Sequence, residues 1–79
     1  MPPGIVARRR SEYGHPRDLF EQVARRWSLT LGVEVSAAQA VTCLIDLKLA
    51  RLVHDPESGD SVADVAGYAA CLAEVLHDD

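Results

Sequence analysis

Ser36-Ala37-Ala38-Gln39-Ala40-Val41-Thr42-Cys43-Leu44-Ile45-Asp46-Leu47-Lys48-Leu49-Ala50-Arg51-Leu52-Val53 is the stretch on which the fold turns. Ser36 with Gln39 three residues later is a capping-box pattern. The hydroxyl accepts the third backbone N–H, and the amide side chain reaches back to the first. No Gly or Pro interrupts the run from Ala40 to Val53, so the pattern predicts one helix over 36–53, reaching about His54. Val41, Cys43, Leu44, Ile45, Leu47, Leu49, Leu52 and Val53 cover nearly its whole circumference. A helix apolar nearly all round has to be covered on more than one side. Two further helices in a chain of 79 residues do not easily do that. The sequence therefore predicts an all-α fold, a small helical bundle completed by oligomerisation into a dimer or tetramer.

Outward from that stretch, a helix is predicted on each side. The first runs over 16–31, where Pro16 suits the first helical position because its missing N–H has no partner there anyway. Phe20, Val23, Ala24, Trp27 and Leu31 recur at three- to four-residue steps and share one face. Phe20 and Trp27 read as core, and Gly32 as the stop. After the central helix, His54-Asp55-Pro56-Glu57-Ser58-Gly59 reads as a turn: Pro56 ends the helix and Gly59 permits the reversal. A third helix is predicted over 60–77, starting at Asp60 or Ser61, with Val62, Val65, Ala69, Leu72 and Leu76 as its apolar stripe. Ala63, Ala66, Gly67, Ala70 and Cys71 are small and admit a close neighbour. Gly67 in mid-helix costs up to about 1 kcal/mol against Ala, which points to a packing or binding reason. Residues 1–14 form a basic arm with one turn of helix expected near 6–12. Residues 15–79 form the single helical domain.

Charge is unevenly distributed. Through Arg26, six arginines face three acids for +3; from Trp27 onward, Lys48 and Arg51 face nine acids for −7, and the chain carries −4 in total. A basic arm at Arg8-Arg9-Arg10 can touch nucleic acid or an acidic neighbouring subunit, but the acidic balance does not suit a general nucleic-acid binder. A domain this small buries only about 60% of the surface its unfolded chain exposes. Cys43 and Cys71 sit among apolar neighbours in helical patterns and are expected as free buried thiols. Residues 1–10 show no apolar run of a secretory leader, and no stretch has the roughly 18 apolar residues of a membrane span. A cytoplasmic protein is expected. His15, His54 and His77 are scattered, and no Cys/His spacing fits zinc. A phosphate loop and a nucleophile elbow are both absent.

The chemistry-bearing cluster lies at the second hairpin. On a wheel of about 100° per residue, Lys48 and Arg51 fall amid Val41, Leu44, Leu47 and Leu52, on the apolar arc. Charges there need carboxylates, phosphates or water, because an unpaired buried charge is very costly. A turn centred near Pro56 sets Arg51 opposite Asp60 or Ser61, and Lys48 opposite Asp64. Asp60 and Asp64, four apart, repel each other and want a cation. Three readings stand: interhelical ion pairs that set register, a site holding phosphate on the basic pair and Mg²⁺ on the acidic pair, or a surface for a partner protein. Tyr68 can pack its ring while its hydroxyl reaches a polar partner.

Tyr13-Gly14-His15-Pro16, then Phe20, Ala24 and Trp27, then Lys48-Leu49-Ala50-Arg51, then Asp60-Ser61-Val62-Ala63-Asp64-Val65-Ala66-Gly67-Tyr68-Ala69 resemble a family of small phage and prophage proteins filed as a domain of unknown function and common in actinobacterial viruses. The resemblance covers residues 11–76. It implies an all-helical fold, a phage or prophage source and hence the host bacterial cytoplasm, without implying an activity. More distantly, the basic helix, short turn and acid-bearing helix with Gly67-Tyr68 are similar to nucleotide-modification-associated phage domains and to all-α nucleoside triphosphate pyrophosphohydrolases of the MazG kind. Those enzymes hold Mg²⁺ with acids on two helices. The first of their acidic motifs is missing here, with Asp18 and Glu21 the nearest substitutes, and Asp60 and Asp64 stand in for the second. Two functions are compatible with these residues. One is a non-catalytic oligomeric accessory protein that binds a partner protein or small nucleotide through Lys48, Arg51, Asp60 and Asp64. The other is a Mg²⁺-dependent pyrophosphohydrolase in which Asp60 and Asp64 hold metal, Lys48, Arg51 and Tyr68 meet the nucleotide, and Glu21 completes the site.

Overall fold

A computed structural model describes residues 15–77. They form three helices, α1 (Pro16–Leu31), α2 (Ala37–His54) and α3 (Gly59–Leu76), with no strand among the described residues. The basic arm and its expected helical turn at 6–12 lie outside the described residues. None of the described helices is long and apolar enough to cross a membrane.

The helix limits arise from local hydrogen bonding. His15 caps α1, its Nδ1 accepting the Arg17 N–H at 3.1 Å, and Pro16 opens the helix. Gly32 ends it at φ 73°, a left-handed conformation that glycine adopts without a Cβ penalty, and its N–H donates to Ser28 O at 2.9 Å. The Ser28 hydroxyl bonds back to Ala24 O at 2.7 Å and accepts the Val35 N–H at 2.9 Å, which ties the α1–α2 connection to α1. The capping box forms as predicted: Gln39 N–H reaches Ser36 Oγ at 3.1 Å, and Ser36 N–H reaches Gln39 Oε1 at 2.8 Å. At the second turn the cap is Ser58, whose Oγ accepts the Ser61 N–H at 3.3 Å. The third helix thus begins before Asp60, and Gly59 is its first residue instead of a reversal point. The positive φ among the described residues belongs to Gly32 alone.

Helices α2 and α3 form an antiparallel hairpin, and α1 lies across one side of it. Phe20, Val41 and Cys71 are the buried centre, flanked by Leu19, Val23, Leu44, Ile45, Tyr68, Leu72 and Val75. The Phe20 and Tyr68 rings meet edge to face, centroids 6.3 Å apart at 75°. That geometry is favoured by the ring quadrupoles.

Several burial expectations are corrected. The inward face of α3 carries Ser61, Asp64, Tyr68 and Cys71, while Val62 and Leu76 of the predicted stripe are 54% and 63% exposed. The reason is tertiary: Tyr68 and Cys71 meet α1 while Ser61 and Asp64 meet α2, which turns the helix away from its most apolar arc. Cys43 is exposed and Cys71 buried, and neither forms a disulfide. Trp27 is half-buried in the last turns of α1, lining an open groove with Ala38, Thr42 and Cys43 of α2, and Leu31 is exposed. Leu47, expected on the main buried arc, is 54% exposed because it lies past the line along which α3 packs.

Candidate functional site

The hairpin register is read from two cross-helix contacts. Lys48 Nζ on α2 lies 2.8 Å from Asp64 Oδ2 on α3. One turn nearer the loop, Arg51 Nε donates a long hydrogen bond to Ser61 Oγ at 3.5 Å. Each step forward on α2 is matched by a step back on α3, as an antiparallel pair requires. The Lys48 and Asp64 side chains are 20% and 29% exposed. The pair is therefore largely withdrawn from water and short enough to be charge-assisted. Partly buried pairs of this kind fix how two helices meet more than they add net stability.

Ser61 occupies the position opposite Arg51 that either Asp60 or Ser61 could take by count. It is 1% exposed, and Ser58 Oγ donates to its hydroxyl at 2.9 Å. Ser58, Ser61 and Arg51 form one connected polar group at the loop end of the hairpin. Ser58 is the member of this group that the sequence reading misses, although Ser-x-x-Ser ahead of an apolar run carries its signal: a capping serine bonds the backbone three positions on. Asp60 is exposed, so of the two residues that the count sets opposite Arg51 it is Ser61 that meets it, and Asp60 does not join the ion-pair reading of the cluster.

Tyr68 stands one turn beyond Asp64, its ring against Phe20, so it joins the polar pair to the core. Gly67 is buried beside it. Arg51, His54, Asp55 and Ser58, with Leu47 and Ala50, line a shallow surface concavity of about 370 Å³ at the turn. Arg51 and His54 are solvent-exposed there, so an anionic group can reach them.

Glu21 does not join this cluster. It lines an open groove with Arg25, Ser28, Glu34 and Ala37, at the N-terminal end of α2. Lys48 lies eleven residues further along that helix, roughly 16 Å at 1.5 Å per residue. Asp18 is exposed on α1 as well. Among the described residues no group of three or more His, Cys, Asp or Glu side chains is arranged to hold a metal ion. A second polar tie, not anticipated from sequence, closes the other end of the molecule: His15 Nε2 lies 3.6 Å from Glu74 Oε2, and Arg17 Nη2 donates to His77 O at 3.3 Å.

Comparison with known proteins gives a consistent assignment. The profile of a family described as Domain of unknown function (DUF6378) matches residues 4–76. The Gene 55 protein of Mycobacterium phage D29 is 34% identical over 74 residues, covering 94% of this chain and 49% of the relative. The Gene 55 protein of Mycobacterium phage L5 is 32% identical over 72 residues, covering 90% and 46%. The chain spans about half the length of the curated relatives it matches. No solved structure matches it significantly.

Proposed function

The chain belongs to the family described as Domain of unknown function (DUF6378), with relatives in mycobacteriophages, and from that premise we propose that it is a non-catalytic helical accessory protein that works as an oligomer. In this reading the loop end of the α2–α3 hairpin binds a small nucleotide or a partner protein. The observation that carries the oligomer is the balance of apolar surface. Phe20, Val41 and Cys71 make the core cluster, whereas eight large apolar side chains of the described residues stand exposed, Val53 at 84% among them. Burying one such side chain contributes about 1.5–3 kcal/mol, and this gain, set against the cost of association, is what supports the oligomer reading. Sedimentation equilibrium of the full chain tests it. The expected result is a mass at a multiple of 8.6 kDa; a single 8.6 kDa species at high micromolar concentration refutes the oligomer.

Ligand binding at the turn is supported by the exposed Arg51 and His54 beside the concavity. Arg51 is the better phosphate contact, because Lys48 is already held by Asp64. Thermal denaturation in the presence of a nucleotide panel, with and without Mg²⁺, tests this. A ligand at 100 times its Kd adds about 2.7 kcal/mol, which raises Tm by roughly 10 °C or more in a domain of this size. No shift with any nucleotide leaves a protein partner as the ligand of the turn.

Mg²⁺-dependent pyrophosphohydrolysis, the alternative, finds less support. It needs acids converging from two helices, and Glu21 lies at the other end of α2 from Lys48 and Asp64. Pyrophosphate release from the same panel, abolished in Asp64→Ala, would establish it over the accessory reading.

A further inference from the structure

We propose that the basic arm, residues 1–14, docks along the acidic arc of α3 in the same chain, with Arg8, Arg9 and Arg10 set against Asp60, Asp64 and Glu74. The inference is independent of the oligomer and ligand readings above.

Every charge on α3 lies on that arc, and none is basic. On a wheel of about 100° per residue, Asp64 and Glu74 fall about 40° to either side of Asp60. Ser61, which meets Arg51 of α2, is about 100° away from Asp60. Gly67 and Cys71 lie at the centre of the arc, each about 20° from Asp60, and both are buried. Acids gathered in this way repel one another at helical spacing. Glu74 also stands in the last turn of α3, where the helix dipole disfavours a negative charge. A basic segment laid along the arc relieves both costs. Lys48 on Asp64 does not preclude it, because a carboxylate has more acceptor positions than one lysine fills. Gly67, without a Cβ, lets a segment come close to the helix backbone.

Four observations identify the arm as the occupant. The first is where it is rooted. His15 Nε2 lies 3.6 Å from Glu74 Oε2, and Arg17 Nη2 donates to His77 O at 3.3 Å, so the chain before His15 starts beside the C-terminal end of the arc. The second is reach. Arg10 is five residues before His15, at most about 17 Å of chain, and Asp64 is ten residues before Glu74, about 15 Å of helix. Arg8 is seven residues before His15, at most about 24 Å, and Asp60 is fourteen before Glu74, about 21 Å. The arginines therefore reach the level of the acids. The third is charge: residues 1–14 carry three arginines against Glu12 alone, opposite in sign to the arc. The fourth is that the family profile begins at residue 4, so most of the arm belongs to the same domain as the helices. Docked in this way, the arm presents its arginines to α3 and not to nucleic acid.

The test is disulfide trapping in the full chain. Cys43→Ser removes the exposed native thiol. In that background Arg9→Cys is paired with Ala63→Cys, on the arc, or with Val62→Cys, about 100° round the helix from it. Ala63 and Val62 are both exposed, so helicity by circular dichroism is expected to hold. Arg8→Cys with Asp60→Cys repeats the trap at a second exposed position. Oxidised glutathione is the oxidant, and products are read by mass and non-reducing peptide mapping. A disulfide needs the two Cα atoms within about 7 Å, so the pair on the arc is expected to close within one chain at least about 10-fold faster than the pair off it. Closure should slow in about 1 M NaCl, where charges are screened beyond about 3 Å. Equal rates on and off the arc overturn the docking. A cross-link between two chains assigns the arm to a neighbouring copy and overturns it as well. A rate unchanged by salt overturns the pairing of the arginines with the acids.

Discussion

Replacing Asp64 by alanine leaves the Lys48 ammonium without its partner on a surface that is mostly withdrawn from water. At 2.8 Å and an effective dielectric near 20, the gross attraction is about 6 kcal/mol. Most of that is offset by desolvation of the two ions. Removing one partner of a fully buried pair costs about 3–5 kcal/mol, and exposed pairs are worth about 0–1 kcal/mol. With side chains 20% and 29% exposed, this pair sits between those limits, so Asp64→Ala is expected to cost about 2 kcal/mol. In a domain of this size that lowers Tm by roughly 8–16 °C. Lys48→Met alone should cost a similar amount. The double variant Lys48→Met/Asp64→Leu should recover most of the loss, because apolar residues of similar volume replace a buried pair at little cost. The assay is urea and thermal denaturation followed by circular dichroism for wild type, Lys48→Met, Asp64→Leu and their double variant, which close a double-mutant cycle, with Asp64→Ala measured beside them. If the two single losses simply add, with a coupling energy below about 0.5 kcal/mol, the pair does not hold the hairpin and the structural reasoning is refuted.

Other outcomes rest on local geometry. Gly32→Ala places a Cβ at φ 73° with nothing within 4 Å to clash, so its cost is the left-handed backbone alone, about 1–2 kcal/mol by urea denaturation. Ser36→Ala removes the hydroxyl that accepts the Gln39 N–H and should cost about 1 kcal/mol, with helix loss at the start of α2 visible by hydrogen exchange. Thiol labelling of the native protein should modify Cys43 readily and Cys71 only after unfolding; equal rates would contradict the burial of Cys71.

The helix limits were legible because each depends on residues only a few positions apart. Gly32, and Ser36 with Gln39, act through hydrogen bonds within one turn of themselves, and Pro16 and Pro56 through the N–H they lack and the backbone angle they fix. The Lys48–Asp64 pair was legible for a related reason: a short turn between two helices makes the register a matter of counting. Counting does not reach the next level of detail. Asp60 and Ser61 differ by one residue, which is about 100° on a helix. Only the packed hairpin decides that the serine turns inward to Arg51 and that the acid stays in solvent.

The same limit governs burial. The sequence alone determined three helices, their ends to within about a residue, and a polar pair at the second hairpin, since these rest on local bonding and on the length of one turn. It did not determine which arc of α3 is buried, because that helix is apolar or small around most of its circumference, and the stripe its spacing favours is not the arc that the other two helices cover. Tertiary contacts made the choice: the Phe20 ring against Tyr68, Cys71 in the core, and Asp64 held by Lys48. Those contacts turn Val62, Ala69 and Leu76 outward, and the surface left uncovered is set by that rotation.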